Sequence, residues 1–261
     1  MRVATFNLLH GRALDDGFAD PQRLRDAATR IDADVIGLQE VDRYQERSGT
    51  VDQTEIVASA LRAPDWRFVP AVHGTPGPRV TWTPATAANG ADTVGATYGI
   101  GMASRWPVQE WRVLRFPAAP LSLPLLTPVA GGARFVRIPD EPRVAMAAVV
   151  DGPTGPLTVA TAHLTFVPLY NARQLHTLVR WLDGLPRPAL LAGDFNLPGA
   201  LPRRLTGWTQ LVRAATYPSW NPRVQFDHVL ADGLPQRAVR GARVVRLPLS
   251  DHAALVVEID L

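Results

Sequence analysis

The sequence contains no cysteine. A disulfide framework, a thiolate zinc site and a cysteine nucleophile are therefore excluded. It contains no lysine either, so all 27 basic residues are arginine and no Walker-type Gly-Lys phosphate loop exists. No serine stands in the strand-turn-helix context of a nucleophile elbow. No apolar run reaches the roughly 18 residues that a membrane-spanning helix needs. The opening MRVATFNLLHGR has no long apolar stretch behind its first arginine, so no signal peptide and a cytoplasmic protein are expected.

What is present points to a large core. The chain has 261 residues, 46% apolar and 20% charged, which excludes a disordered chain and leads to the expectation of a single domain over 1–261 acting as a monomer. The net charge is only +3, and the pI of 9.9 reflects arginine, which does not titrate near neutrality. The distribution is uneven. Residues 1–60 hold seven arginines against eleven acidic residues, whereas residues 197–246 hold eight arginines against two aspartates. An acidic front and a basic rear suit a cation site and a phosphate-holding surface in one molecule.

Short apolar runs alternate with a few helical patterns. Strands are expected at 2–7, 35–39, 67–72, 98–104, 144–150, 157–163, 189–193, 226–231, 242–247 and 254–259. Asp20-Pro21 reads as an N-cap followed by proline at the first helical position, with Leu24, Ala27, Ala28 and Ile31 on one face. Asp52 can cap a second helix, and Leu175, Leu178, Val179 and Leu182 mark a third. Many strands with few helices predict two sheets packed face to face with helices outside. Residues 73–95 and the proline-rich 116–142 read as long loops.

The polar residues of interest stand where apolar strands stop. Asn7 ends the first strand, Glu40 ends VIGLQE, His163 ends LTVATAH, and Asp194 and Asn196 end ALLAGDFN. Asp227 interrupts VQFDHVL, and Asp251 and His252 precede the last strand in LSDHAAL. Loops converge at strand ends, so these residues predict a polar pocket at one rim. Carboxylates with neutral amide oxygens suit Mg²⁺, which keeps several waters and often takes only one or two carboxylates. Such an ion stabilises charge on a scissile phosphate, and histidines beside carboxylates can position water or move protons.

The order TFNLLHG, ADVIGLQEVD, YGIGMASRWPV, EPRVAM, ATAHL, GDFN, FDHVL and SDHAAL resembles the endonuclease/exonuclease/phosphatase superfamily. That group of metal-dependent phosphoesterases includes pancreatic-type deoxyribonuclease, abasic-site endonucleases, neutral sphingomyelinases and inositol polyphosphate phosphatases. The resemblance implies a two-layer β-sandwich of mixed sheets flanked by helices, a deoxyribonuclease-like α/β/β/α arrangement. It implies that Glu40, with Asn7 and Asp251, binds Mg²⁺ or Mn²⁺. Asp194 and Asn196 would face the phosphate and the attacking water, and Asp227 would hold His252. Either Asp194 or His252 would activate the water, and the near-neutral pKa of an unperturbed imidazole leans toward His252. His163 resembles a second histidine of the deoxyribonuclease and sphingomyelinase branches. Arg143 would meet phosphate, with Arg173 and Arg47 as further candidates.

Three positions depart from the family pattern: Gly101, Gln225 before Phe226, and Thr161-Ala162 before the histidine. None removes a metal ligand or catalytic group. The leading expectation is a phosphodiesterase acting on nucleic acid, suggested by the basic rear and by Trp82, Trp106, Trp208 and Trp220. The alternative is a phospholipid or small-molecule phosphoester, suggested by the uncharged segment 116–133 and the apolar FVPL at 166–169.

Overall fold

A computed structural model describes residues 1–77, 81–87, 95–129 and 132–261. In chain order the strands are β1 (Arg2–Asn7), β2 (Val35–Arg43), β3 (Asp65–Thr75), β4 (Thr81–Pro84), β5 (Thr97–Ser104), β6 (Val108–Phe116), β7 (Ser122–Val129) and β8 (Gly132–Pro139). They continue with β9 (Arg143–Gly152), β10 (Gly155–His163), β11 (Ala189–Asp194), β12 (Thr209–Gln210), β13 (Asp227–Asp232), β14 (Val239–Val245) and β15 (Ala254–Ile259). The helices are α1 (Pro21–Ile31), α2 (Gln53–Leu61), α3 (Tyr170–Trp181) and α4 (Leu201–Thr206).

One sheet has the order β14-β15-β1-β2-β5-β3-β4 and the other β12-β13-β11-β10-β9-β6. Both are mixed: β1 runs parallel to β2, and β10 parallel to β11, while their other neighbours are antiparallel. Alternation along each strand sends one set of side chains between the sheets and the other toward helices. Val3, Val35, Ile100 and Met102 meet Met146, Val159, Leu190 and Val229 in the inter-sheet core. Phe6, Ile36 and Leu38 pack under Leu24, Ile31, Ile56 and Leu61 of α1 and α2. Ala145, Ala160, Ala162 and Leu191 pack under Leu175 and Leu178 of α3. The expected α/β/β/α layering is thus present. Asp20 and Asp52 cap α1 and α2 by accepting backbone N–H bonds, as their positions predict.

The expected loops need correction. Within 73–95, β3 continues to Thr75 and β4 pairs with it; residues 78–80 and 88–94 lie outside the described residues. Within 116–142, β7 and β8 form a two-stranded hairpin, with residues 130 and 131 outside the described set. Proline density suggested loops, but a ribbon that pairs with no third strand among the described residues tolerates proline on its edges. Strand β6, the short β12 and the one-and-a-half-turn α4 carried too little periodicity to be read. β2 runs to Arg43 rather than ending at Gln39, because a bulge between Leu38 and Val41 interrupts its alternation.

This topology sets the site. The C-terminal ends of β1, β2, β10 and β11 and the N-terminal ends of β9, β13 and β15 converge on one rim. Below that rim the sheets are stitched by polar side chains. Thr5 Oγ1 donates to Gln39 Oε1 (3.1 Å), and Gln39 Nε2 donates to Thr161 Oγ1 (2.9 Å). The approach requires glycine at position 37, where a Cβ would lie 2.3 Å from Thr161 Oγ1.

Candidate active site

The inter-sheet faces of β1, β10, β11 and β13 end in Asn7, His163, Asp194 and Asp227, all at most 6% exposed. Glu40 reaches the same place differently. Alternation would send it to the helix side with Ile36 and Leu38, but its φ of 54° at the bulge turns it toward Asn7. Asn196 (φ 50°) and Ser250 (φ 67°) use the same backbone region to turn their segments into the rim.

Asn7 is the link between the sheets. Its Nδ2 donates to Glu40 Oε1 (3.1 Å) and to Asp194 Oδ2 (3.0 Å), while its Oδ1 accepts from Leu9 N (3.0 Å). Asp194 Oδ1 accepts from Asn196 N (3.0 Å). Asn196 Nδ2 donates to the Leu164 carbonyl (3.0 Å) and sits 3.5 Å from His163 Nε2. Both His163 Nε2 and His252 Nε2 lie 3.7 Å from Asp194 Oδ2. His252 Nδ1 lies 2.9 Å from Asp227 Oδ2, which also accepts from Thr216 Oγ1 at 2.5 Å. Ser250 Oγ accepts from His252 N and donates to the Asn7 carbonyl, tying the SDH turn to β1.

The electrostatics are those of crowded, buried carboxylates. Burial pushes Glu40 up to about 7, helped by the Asp251 charge and opposed by the Asn7 bond. Burial also raises Asp251 and lifts Asp194 to about 6 against the pull of His252. Burial disfavours the His252 cation, but Asp227, Asp194 and Asp251 outweigh it and raise that pKa to about 10. His163 is driven the other way, well below its ordinary value, by burial and by Arg143.

Eight of the expected site residues therefore gather: Asn7, Glu40, His163, Asp194, Asn196, Asp227, Asp251 and His252. Arg143 is nearby but engaged. It is 4% exposed, its Nη1 lies 2.9 Å from His163 Nδ1 and 3.2 Å from Glu141, and its Nη2 lies 3.5 Å from Asp140. Arg173 does not join them; it is exposed on α3 with its guanidinium 5.7 Å from the Tyr170 ring. Arg47 is clamped to buried Asp42 by bonds of 2.8 and 2.7 Å. Sequence reading missed Thr216, Ser250, Glu141 and Tyr98, whose phenol bonds Glu141. Tyr98, Glu141 and Ser250 lie inside the YGIGMAS, EPRVAM and SDHAAL motifs and so carried a signal, whereas Thr216 lies in none of them.

The donor set fits a hard divalent cation. Glu40 and Asp251 are partly buried carboxylates whose charges repel, and neither forms an ion pair among the described residues. Oxygen ligands of this kind suit Mg²⁺ or Mn²⁺. Asn7 presents its amide nitrogen to the carboxylates, so it joins the set as their link. Asp194, Asp227 and His252 offer atoms within 4.8 Å of one another, a second group able to hold an ion. There, however, Asp227 Oδ2 and His252 Nδ1 are engaged with each other.

The departures from the family pattern are explained locally. A Cβ at Gly101 would lie 2.4 Å from Thr54 Oγ1, so α2 fills the space a larger residue would occupy. Gln225 is buried and bridges the Val212 and Asp227 carbonyls (3.2 Å each).

Two mixed sheets enclosing this polar rim define an α/β sandwich of the deoxyribonuclease type. The model of the Endonuclease/Exonuclease/phosphatase family matches residues 4–252, and the chain belongs to that family. Members hydrolyse phosphoric esters and generally use divalent metal ions. Among solved structures, an endonuclease/exonuclease/phosphatase from Beutenbergia cavernae is similar at 22% identity and TM-score 0.66, over 100% of this chain and 71% of that one. A mannosyl-6-phosphatase from Bacteroides thetaiotaomicron is similar at 16% identity and TM-score 0.64, over 100% of both chains. Sphingomyelinase C from Streptomyces griseocarneus is similar at 14% identity and TM-score 0.62, over 100% of this chain and 99% of that one. None of the curated proteins compared matches the chain. Among the described residues no helix is long and apolar enough to cross a membrane.

Proposed function

We propose that the chain is a Mg²⁺- or Mn²⁺-dependent phosphodiesterase acting on nucleic acid, with residues 1–261 forming one catalytic unit. The observation that carries this reading is the hydrogen-bonded line Glu40–Asn7–Asp194, with His252 set between Asp194 and Asp227. Glu40 and Asp251 would hold the cation, which would neutralise the phosphate and stabilise transition-state charge.

The remaining steps belong to protein groups. Both ring nitrogens of His252 face carboxylate oxygens, so the ring is a donor on both sides, and its raised pKa agrees. His252 therefore gives its Nε2 proton to the oxygen that departs as the ester P–O bond breaks, and Asp227 holds its other nitrogen. This leaves Asp194 as the group that accepts the proton of the attacking water; at neutral pH it is ionised. Asn196 orients Asp194 through its backbone N–H and presents its amide beside His163. Arg143, neutralised by Glu141 and Asp140, fixes the His163 ring and acts on phosphate only through it.

Nucleic acid is favoured because the basic rear of the chain is exposed. Arg203, Arg204, Arg213, Arg223, Arg237 and Arg246 form no ion pair among the described residues. Of the four tryptophans singled out above, Trp82 and Trp106 pack on the inter-sheet core and Trp208 beside α3. Among these four only Trp220, at 59% exposure, is open for stacking. A second reading, a lipid phosphodiester, draws on exposed Phe18 (73%) and Leu169 (75%). Plasmid nicking with Mn²⁺, lost with chelator and in Glu40→Ala, is the expected result. Cleavage of choline lipids in vesicles without nicking would replace nucleic acid by the lipid reading.

A further inference from the structure

The open edge of the sandwich holds a groove that the catalytic chemistry does not use. A cavity of about 740 Å³ lies between β12 and β14, lined by Arg203, Gln210, Arg213, Val239 and Ala242 among others. A second, of about 350 Å³, is lined by Arg213, Arg223 and Gln225 among others. Arg213 lines both, so the two adjoin at its side chain.

The Gln225 end of this surface is tied to the active site through Asp227. Gln225 Nε2 donates to the Asp227 carbonyl (3.2 Å), and Asp227 holds His252. The Tyr217–Val224 turn flanks the same end. In it Ser219 N donates to the Asp251 carbonyl (2.7 Å), and the Tyr217 ring lies 5.0 Å from the His252 ring. The exposed Trp220 is the next residue.

The charge is of one sign. Neither cavity is lined by Asp or Glu, while Arg203, Arg213 and Arg223 are exposed and form no ion pair among the described residues. The two aspartates of 197–246 face elsewhere: Asp227 lies under His252, and Asp232 pairs with Arg187 at 2.7 Å. The 5%-exposed Gln210 adds a buried acceptor, Oε1, with no partner.

From these placements we infer that the groove is a strand-binding track: Arg203, Arg213 and Arg223 hold the phosphates of a single nucleic-acid strand whose unpaired base stacks on Trp220 near the scissile bond. A concave arginine track with one exposed aromatic is the combination that single strands use, because phosphates give affinity and any base offers a π-face. The inference rests on the nucleic-acid phosphodiesterase reading and specifies how that substrate is held.

The test is fluorescence anisotropy with a labelled single-stranded DNA oligonucleotide, with chelator present to prevent cleavage. Arg203→Glu/Arg213→Glu weakens binding at least about tenfold at low salt and flattens the plot of log affinity against log salt by about 1.4. Arg30→Glu/Arg180→Glu, which reverses two exposed arginines outside the track, changes affinity by less than about twofold. Trp220→Ala weakens single-strand binding more than duplex binding. Equal losses in the two double variants, or a wild type that binds no oligonucleotide, overturn the track. So does loss of binding to phosphatidylserine vesicles with oligonucleotide binding intact, which assigns the groove to a membrane surface. Turnover of bis(p-nitrophenyl) phosphate is followed in parallel. Its absence in the wild type defeats the active-site reading and leaves the binding result standing on its own.

Discussion

Asp227 lies against the imidazole of His252, with Oδ2 2.9 Å from Nδ1, and the same oxygen takes the Thr216 hydroxyl at 2.5 Å. One carboxylate oxygen thus orients the ring and raises its basicity, while Thr216 orients the carboxylate. Asp227→Asn removes the charge and keeps the shape. It should lower kcat on a small phosphodiester about 10²- to 10⁴-fold with little change in KM. The alkaline limb of the pH–rate profile should also move to lower pH, because the chief cause that raises His252 is gone. Thr216→Ala, which deletes one hydrogen bond, should show the same displacement in smaller measure. A profile that stays in place in Asp227→Asn would show that His252 does not act as the acid.

The Glu40 carboxylate leads to the second expectation. Burial and the Asp251 charge hold its pKa at about 7, above the ordinary 4.5. The charged form is therefore disfavoured in the fold, and a cation relieves the repulsion. Mn²⁺ should raise the Tm of the wild type, and Glu40→Gln should abolish that rise. In chelator at pH 8, Glu40→Gln should be the more stable protein, by up to about 3 kcal/mol. The sign follows because the native state holds the proton more tightly than the unfolded chain, so stability falls as pH rises from 4.5 through 7. Equal Mn²⁺ shifts in both proteins would remove Glu40 from the cation site.

Much of this arrangement was legible in the sequence because strand ends are readable. Apolar runs of four to eight residues that stop at Asn7, His163 or Asp194 announce both a strand and a rim. The family pattern then gathered residues from Asn7 to His252 that no local rule connects. What stayed hidden were groups whose place depends on backbone turns or on partners distant in sequence. Glu40 faces the site only through its bulge, and Thr216 reaches Asp227 from a loop eleven residues away. Arg173 misled for the converse reason. It lies one turn into a helix near the site in sequence, yet on the outer face of α3, which period 3.6 leaves ambiguous without knowing what the helix covers. The β7–β8 hairpin was hidden by its prolines, which normally argue against strands.

Gly37 offers a test of the seam beneath the site. A Cβ there would lie 2.3 Å from Thr161 Oγ1, whose side chain receives Gln39 from the opposite sheet. Gly37→Ala should destabilise by about 1–3 kcal/mol through overpacking. Thr161→Ala should destabilise on its own by leaving Gln39 Nε2 without a partner. Together the two should be less harmful than their sum, because the second removes the atoms that the first strikes. Urea unfolding of the four proteins in a double-mutant cycle measures this. Strict additivity would mean that Gly37 matters for some reason other than this contact.

His228 is a histidine of the fold, distinct from His163 and His252 at the site. Although it neighbours Asp227, alternation in β13 sends its ring to the α3 side, where it stacks on Phe195 with centroids 5.5 Å apart. Its Nε2 lies 2.8 Å from the Leu197 carbonyl, so the neutral ring donates there. Burial lowers its pKa to about 4. In the unfolded chain it takes up a proton near 6.5, so between these values the unfolded state binds more protons and stability is lost as the solution is acidified. Below about pH 4 this loss is complete, at about 3 kcal/mol. His228→Phe keeps the stacking and removes the titration. It should be less stable than the wild type by about 1 kcal/mol at pH 7.5, where the bond to Leu197 is missed. It should be the more stable of the two at pH 4.5, so that plots of unfolding free energy against pH, measured in chelator, cross. Glu40 and Asp194 titrate alike in both proteins and drop out of the comparison. Parallel curves would show that the ring titrates alike in the folded and unfolded states and that its burial does not govern its charge.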